Sequence, residues 1–224
     1  MISVEEAIVG RQSTRAFLGD KPVPRELILE VLETAGRAPS GSNIQPWKVW
    51  VVTGEAKDKL SKALLERHFS GDPGNREYNY YPVEWREPYI GRRRACGWGL
   101  YSTLGIQKGD KTRMLEQHGK NYEFFGAPVG VFYTLDRDME LGSWIDIGMF
   151  IQSVMLAARG HGLETCPQAA FCNYHDTVTE HLGVPAEQQL VCGMALGYPD
   201  TDAIVNTFRT DREDAASFTT FVGE

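Results

Sequence analysis

The sequence predicts an α+β fold of one domain that covers residues 1–224. Helical and β-rich segments of ordinary length follow one another, and no internal repeat, low-complexity linker or domain boundary separates them. A chain of 224 residues with 42% hydrophobic and 24% charged residues is long and apolar enough to bury one sizeable core.

Helices are predicted where apolar residues recur with helical spacing. In residues 26–37, for example, Ile28, Val31, Leu32 and Ala35 share one face. The other predicted helices span residues 4–9, 55–68, 92–104, 111–122, 144–159 and 176–182, and short β-rich runs predict strands at 48–53, 129–135 and 190–196. The helix at 144–159 has little polar surface, so we expect it in the core or in a subunit interface.

Two segments lack this regular pattern. Residues 70–91 contain five aromatic and six glycine or proline residues without a helical or strand period. A long irregular loop is usually functional or disordered, and its aromatic content argues against disorder. The C-terminal extension, residues 200–224, is loosely patterned, but its segment 217–222 (SFTTFV) is β-prone and is expected to add an edge strand.

Bulk composition excludes several classes of protein. A net charge of −7 argues against general nucleic-acid binding but permits a local site for an anionic cofactor. The four cysteines form no CxxC pair and lie apart from the five histidines, so we expect free thiols and no zinc site. The N-terminus lacks the basic start of a signal peptide, and no apolar run approaches the ~20 residues of a membrane helix. These features predict a cytoplasmic protein without membrane contact.

A polar loop at residues 38–47 (APSGSNIQPW) lies between a predicted helix and a predicted strand. Pro39 and Pro46 restrict the backbone at its two ends. Small donors and acceptors lie between them: Ser40, Ser42, Asn43 and Gln45. Amide groups suit the edge of a heteroaromatic ring, although the same residue types also build ordinary turns.

A second polar run, RQSTR at residues 11–15, carries two guanidinium groups and two hydroxyls. Arginine presents a planar fork of donors that matches phosphate oxygens, so the run is a candidate anion site. Short runs of this kind also occur on solvated surfaces, and the run alone leaves both interpretations open.

Together the two runs resemble the flavin-dependent nitroreductase family, in particular its nitrobenzoate and nitroaromatic reductase branch. The matching pattern is R-x-S-x-R-x-F, then P-V-P and a helix, then A-P-S-x-x-N-x-Q-P-W, here at residues 11–17, 22–24 and 38–47. The likeness continues through residues 125–128, 146–152, 162–168 and 197–212. It implies a central, mostly antiparallel sheet flanked by helices, in an intertwined homodimer with two FMN sites at the interface.

The resemblance also implies which residues bind FMN. Residues 11–15 would hold the phosphate and the ring edge, loop 38–47 would reach the flavin of the opposite subunit, and a backbone N–H of residues 167–170 would lie near flavin N5. Relatives have an acidic residue and a glycine there, so only backbone contacts are expected of this chain's Gln168-Ala169-Ala170. The implied contacts are Arg11, Gln12, Ser13, Arg15, Pro39, Ser40, Ser42, Asn43, Gln45, Gln152, Pro167, Gln168, Ala169, Ala170, Arg209 and Arg212. Surface ion pairs are the alternative for the last two, and Gln152 could instead satisfy a buried backbone group.

The implied activity is FMN-dependent reduction of nitroaromatic compounds by NADPH or NADH, in a ping-pong cycle of two-electron hydride transfer. No protein residue is predicted to be catalytic, because flavin N5 does the chemistry. A flat substrate pocket would be walled by aromatic side chains, for which core packing is the alternative: Tyr78, Tyr81, Trp85, Tyr89, Phe124, Phe125 and Trp144. The run 92–94 (RRR) is typical of a solvated helix start, or else attracts the 2′-phosphate of NADPH or an acidic nitrobenzoate.

Two other interpretations fit the same residues. A flavin ene or quinone reductase, or a reductive dehalogenase, would share the fold and change the acceptor. A non-catalytic flavin-binding protein would need no acceptor pocket, so the aromatic loop argues against it.

Overall fold

The computed structural model describes residues 2–223 and centres on one four-stranded sheet of order β1-β2-β4-β3, in which every neighbouring pair is antiparallel. The strands are β1 (Lys48–Thr53), β2 (Val129–Asp136), β3 (Glu164–Gln168) and β4 (Gln188–Gly197). The helices are α1 (Val4–Gly10), α2 (Arg25–Ala35), α3 (Gly54–Phe69), α4 (Tyr89–Thr103), α5 (Lys111–Gly119), α6 (Leu141–Gly160), α7 (His175–Leu182) and α8 (Ala215–Phe218). The predicted α+β fold with an antiparallel sheet is confirmed.

Helices cover both faces of the sheet. Side chains alternate between the two faces along each strand, so a strand that is apolar throughout needs a packing partner on each face. On β2, Val131 and Tyr133 join the core beneath α2 and α6, whereas Phe132 joins the core beneath α3. Both clusters contain side chains with less than 2% exposure, so the centre of the sheet is buried on its two faces, whereas Val51 on β1 is 41% exposed.

The long helix α6 corrects the expectation that no apolar run reaches membrane-spanning length. It has 20 residues, and its best window has a mean hydropathy of 1.4, enough by length and composition alone to cross a membrane. Its apolar side chains Ile147, Phe150 and Val154 are buried against the sheet and α2. We therefore interpret α6 as the core helix of this domain.

Strand β3 was not predicted, because Pro167 lies inside it and proline cannot donate to a strand ladder. Within the sheet, β3 is at the edge and pairs with β4 alone. An edge strand tolerates proline, and its outer side is free to hold another segment. Thr14 uses that side, where its backbone N–H donates to Thr165 O at 3.0 Å.

Among residues 2–223, the expected edge strand at 217–222 does not form. The last two residues of α8 occupy its start, and Phe218 and Phe221 are 71% and 72% exposed. The expectation was wrong for one chain in isolation, because no other part of the described residues covers these apolar side chains.

Candidate active site

The N-terminal polar run and the C-terminal arginines meet in one cavity of about 760 Å³. The N-terminal and C-terminal parts of the predicted phosphate site therefore lie together, and residues of α6 complete the lining of the cavity. Its lining includes Arg11, Gln12, Ser13, Arg15, Gln152, Met155, Arg209 and Arg212. These predicted residues, far apart in sequence, therefore share one concave surface.

Asn206 holds the two ends of the chain together. Its side-chain oxygen accepts from the backbone N–H of Arg15 at 2.8 Å, and its Nδ2 donates to Ala16 O at 2.9 Å and to Asp200 O at 2.8 Å. Asn206 is 9% exposed, and its three bonds use both amide hydrogens and one lone pair of the oxygen. Asn206 lies in the range 197–212 that resembles the family, but the sequence predicted no role for it.

The electrostatics of this cavity favour an anion. Burial lowers the pKa of Arg11, and the nearby guanidinium groups of Arg212 and Arg159 lower it further, whereas Glu164 opposes them. Glu164 is engaged by Arg159, its hydrogen-bond partner. The crowded like charges on Arg11 and Arg212 would be relieved by a phosphate, which also matches their donor geometry.

A second cavity, of about 670 Å³, adjoins the first, and Met155 lines both. The predicted residues Pro167, Gln168 and Ala169 form one side of it, and Tyr78, Tyr80 and Trp144 form an aromatic wall. Ala170 is not among its lining residues; the Ala170 carbonyl instead accepts from Tyr122 Oη at 3.4 Å. A flat aromatic ring fits this second cavity, beside the anion site.

A bulge in β4 orients the residues that form part of the wall of this second cavity. The register of β4 with β2 shifts between Tyr133 and Thr134, so Val191 has no partner on β2. Val191 and its neighbour Cys192 line the cavity. The carbonyl of Val191 accepts hydrogen bonds from Cys172 Sγ at 3.3 Å and from Tyr78 Oη, and the bond from Tyr78 ties the aromatic loop to the sheet.

The predicted aromatic pocket is only partly assembled. Tyr78 and Trp144 lie edge to face with ring centroids 4.7 Å apart, at the cavity wall. Tyr81, Trp85 and Tyr89 are not in that wall and lie on the outer side of the loop and the start of α4. Tyr80, which was not included in the predicted pocket, does line the cavity. Periodicity could not show this because the loop has none.

Phe124 is a correction, because it packs the core and does not line a pocket. It has no exposed surface, its ring lies 4.8 Å from that of Phe171, and it presses on Gly130, where an added Cβ would fall 2.4 Å from Phe124 Cε1. Phe125 lies beside Arg15 and Pro167 in a separate cavity of about 170 Å³. Burial, with His68 nearby, lowers the pKa of His118 in that cavity, and burial raises the pKa of the Cys166 thiol to about 11.

The predicted loop at 38–47 does not join these cavities. Pro39, Ser40, Ser42, Asn43 and Gln45 line none of the three described above. Ser42, Asn43 and Gln45 have positive φ angles of 49°, 57° and 50°, which are costly for residues other than glycine. Asp146 on α6 anchors this strained loop by accepting from Gly41 N–H at 3.2 Å.

The implied cofactor FMN fits the residues present. An arginine-rich cavity adjoins an aromatic one, as a phosphate and a flat ring require, and Gln12 Oε1 is buried at the first cavity without a hydrogen-bond partner in the described chain. Residues 2–223 contain no group of three or more His, Cys, Asp or Glu placed to hold a metal ion.

Comparison with known proteins decides the family. A model of the nitroreductase family matches residues 8–198. The chain belongs to the nitroreductase family. This member of the family is 40% identical to a 4-nitrobenzoate reductase of Pseudomonas putida over 98% of its own length and 95% of the relative's.

Two solved structures resemble this nitroreductase family member over nearly the whole chain. One is the FMN and NADPH-dependent nitroreductase NfnB of Sphingopyxis sp. strain HMH, with a TM-score of 0.96, 40% identity and full coverage of both chains. The other is the FMN-dependent nitroreductase NfnB of Mycobacterium smegmatis in complex with NADPH, with a TM-score of 0.92, 36% identity and 97% coverage of both chains.

Proposed function

We propose that the protein is an FMN-dependent oxidoreductase that uses NADPH or NADH to reduce nitroaromatic compounds. The observation that carries this proposal is the pair of adjoining cavities, one lined by arginines and one walled by aromatic rings, with Met155 common to both. Bound FMN supplies two-electron hydride chemistry, and the protein supplies binding, orientation and electrostatics.

The two adjoining cavities would bind different parts of FMN and its substrate. Arg11, Ser13, Arg209 and Arg212 would bind the FMN phosphate, and Arg15 would face the pyrimidine edge of the ring, where negative charge develops on reduction. The backbone of residues 167–170 would lie along the ring. The acceptor would enter from the side of Tyr78 and Trp144, whose rings can pack against an aromatic substrate.

We also propose that the enzyme is a homodimer in which loop 38–47 serves the partner's flavin. Three features support this assembly. The loop carries Asn43 on the surface, away from the cavities of its own chain. Strand β1 is a sheet edge beside a cavity of about 940 Å³ that Leu29, Val49 and Val51 line. The exposed C-terminal segment 217–222 of a second copy has the apolar residues to cover that edge.

A cytoplasmic location suits this activity. Cys96, Cys166, Cys172 and Cys192 are all free thiols, as is usual in a reducing compartment. The same compartment supplies NADPH and NADH. We further propose that residues 1–224 act as one domain, with residues 70–91 on the substrate side and 200–224 as the dimer arm.

The test of function uses the purified protein without added cofactor. We expect a yellow protein that releases FMN on denaturation, bleaches with NADPH under anaerobic conditions and recovers its colour on addition of 4-nitrobenzoate. A colourless protein that does not bind FMN would overturn the proposal. Recovery with a quinone or an iodophenol but not with nitroarenes would assign the site to the rival acceptors, and bleaching without recovery by any acceptor would indicate a flavin carrier.

A further inference from the structure

A row of aromatic rings leads from the wall of the 670 Å³ cavity to an exposed arginine. Tyr80 lines the cavity, its ring centroid is 4.8 Å from that of Tyr81, and Tyr81 is 5.4 Å from Trp85. On α4, the guanidinium carbon of Arg93 lies 4.9 Å from the Trp85 ring centroid and 5.9 Å from that of Tyr81. The rings therefore connect Arg93 to the cavity through direct contacts.

Arg93 is held in place while its hydrogen-bond donors remain available. Among residues 2–223, the only carboxylate paired with the run 92–94 is that of Glu213, which accepts from Arg92 Nε at 3.0 Å. An arginine that stacks on rings uses its flat face and keeps its N–H groups for an anion in the plane of the guanidinium. Because packing already restricts the side chain, binding an anion there costs less conformational entropy.

The length of this row of rings distinguishes between two anionic ligands that Arg93 could bind, a nitrobenzoate and NADPH. A nitrobenzoate is one ring across, and it would occupy the cavity beside Tyr78 and Trp144 without reaching past Tyr80, Tyr81 and Trp85. A pyridine dinucleotide carries its nicotinamide and its adenosine at opposite ends of a long chain. With the nicotinamide in the cavity, the adenosine end can extend along the rings. In NADPH that end bears a phosphate with two charges near neutral pH, which matches arginine donors.

We propose that Arg93, supported by Trp85 and Tyr81, binds the adenosine 2′-phosphate of NADPH and makes NADPH the preferred reductant over NADH. This inference rests on the proposed function and assigns a role to three residues that lie outside the cavities. Arg94 is the matched control, because it carries the same charge on the same helix and makes none of these ring contacts within the described residues.

The test compares both reductants in the FMN-loaded protein. Anaerobic stopped-flow measurement of flavin bleaching should show that Arg93→Gln weakens the apparent binding of NADPH about tenfold or more, the size of a lost charge-assisted hydrogen bond, and leaves NADH nearly unchanged. Arg94→Gln should change both reductants little. Calorimetric titration with adenosine 2′,5′-bisphosphate and with 5′-AMP supplies a readout that needs no flavin chemistry: Arg93→Gln should weaken only the bisphosphate.

The possible outcomes separate this inference from the proposed function. If neither reductant bleaches the wild-type flavin, the proposed function fails. If both bleach it and Arg93→Gln leaves their ratio unchanged, or if Arg94→Gln shifts the ratio as much, the assignment of Arg93 is overturned and the function stands. An equal loss for NADPH and NADH would place the pyrophosphate at Arg93 and would also overturn the 2′-phosphate assignment.

Discussion

The side-chain amide of Asn206 joins the two ends of the chain by accepting a hydrogen bond from the backbone N–H of Arg15 at 2.8 Å. This contact places the N-terminal polar run beside Arg209 and Arg212, which lie three and six residues after Asn206 in sequence. One buried amide with three hydrogen bonds to backbone groups thus supports the arginine cavity, beside backbone bonds from Leu18 N–H to Tyr198 O and from Asp200 N–H to Ala16 O.

Replacing that amide should weaken the fold and the cofactor site together. We expect Asn206→Ala to lower the free energy of unfolding by about 1–3 kcal/mol, because buried backbone groups lose their partner. FMN affinity should fall as well, because the arginines lose their common support. Urea unfolding and FMN titration measure the two effects. Thr207→Ala, which loses only a local bond from an exposed residue, is the control, and equal behaviour of the two variants would contradict the role of Asn206.

Loss of the hydrogen bond from Tyr78 to Val191 should loosen the aromatic loop without changing the shape of the side chain at residue 78. Tyr78→Phe keeps the ring beside Trp144 and removes the hydroxyl, which donates to the bulge carbonyl and lies 3.6 Å from Cys172 Sγ. We expect a loss of about 1 kcal/mol in stability, faster hydrogen exchange in residues 70–88 and a raised KM for the nitroarene. Burial raises the pKa of Tyr78, so the phenol stays a donor at every pH below its ordinary value of about 10, and the difference between variant and wild type should not vary with pH in that range. Unchanged loop exchange would refute the anchor.

The anchor of the strained loop can be tested with two matched substitutions. Asp146→Ala removes the acceptor of Gly41 N–H, whereas Asp146→Asn keeps an oxygen in the same place. Because three residues of the loop hold positive φ angles, we expect the alanine variant to let the loop relax and to weaken FMN binding severalfold, with a smaller effect for asparagine. FMN fluorescence titration measures this. Wild-type affinity in Asp146→Ala would show that the loop holds its shape unaided.

Arg15 is predicted to set both the affinity and the potential of the flavin. It lines the arginine cavity and also the small cavity with Phe125 and Pro167. A positive charge in a site poor in water stabilises the reduced, anionic ring more than a surface charge does. Arg15→Ala should therefore lower FMN affinity and the midpoint potential together, and Arg15→Lys should restore part of the potential. Spectroelectrochemical titration that finds a normal FMN content and potential in Arg15→Ala would remove this role.

Much of the fold was predictable because the sequence patterns are strong where packing is regular. The strand at 48–53 was predicted with its observed bounds, and the other predicted helices and strands agree within a few residues. Strand β3 was missed because Pro167 weakens its pattern, and only the sheet order shows that proline lies at an edge. The segment 217–222 has the pattern of a strand but no partner in its own chain.

The candidate site was predictable only in part, for a different reason. The family resemblance predicted Arg11, Gln12, Ser13, Arg15 and residues 167–169. The fold brings these residues to the 760 Å³ and 670 Å³ cavities. Residue type could not tell which aromatic side chains face a cavity. Phe124 fills space above Gly130 in the core, whereas Tyr80 lines the cavity wall. Whether an aromatic side chain faces the core or a cavity depends here on space left by a glycine and on the β4 bulge. Neither feature leaves a periodic pattern in the sequence.

The claim that the flavin site combines residues of two chains is tested most directly by mixing two defective subunits. One chain carries Asn43→Ala and the other Arg15→Ala, each with a different tag, so that heterodimers can be isolated after co-expression. If Asn43 serves the partner's flavin, each heterodimer has one intact site and one doubly defective site. We therefore expect about one tightly bound FMN per heterodimer, more than in either variant homodimer. If Arg15 and Asn43 of the same chain serve one flavin, every site carries one defect. The heterodimer would then bind FMN no better than the variant homodimers, and that result would contradict the account.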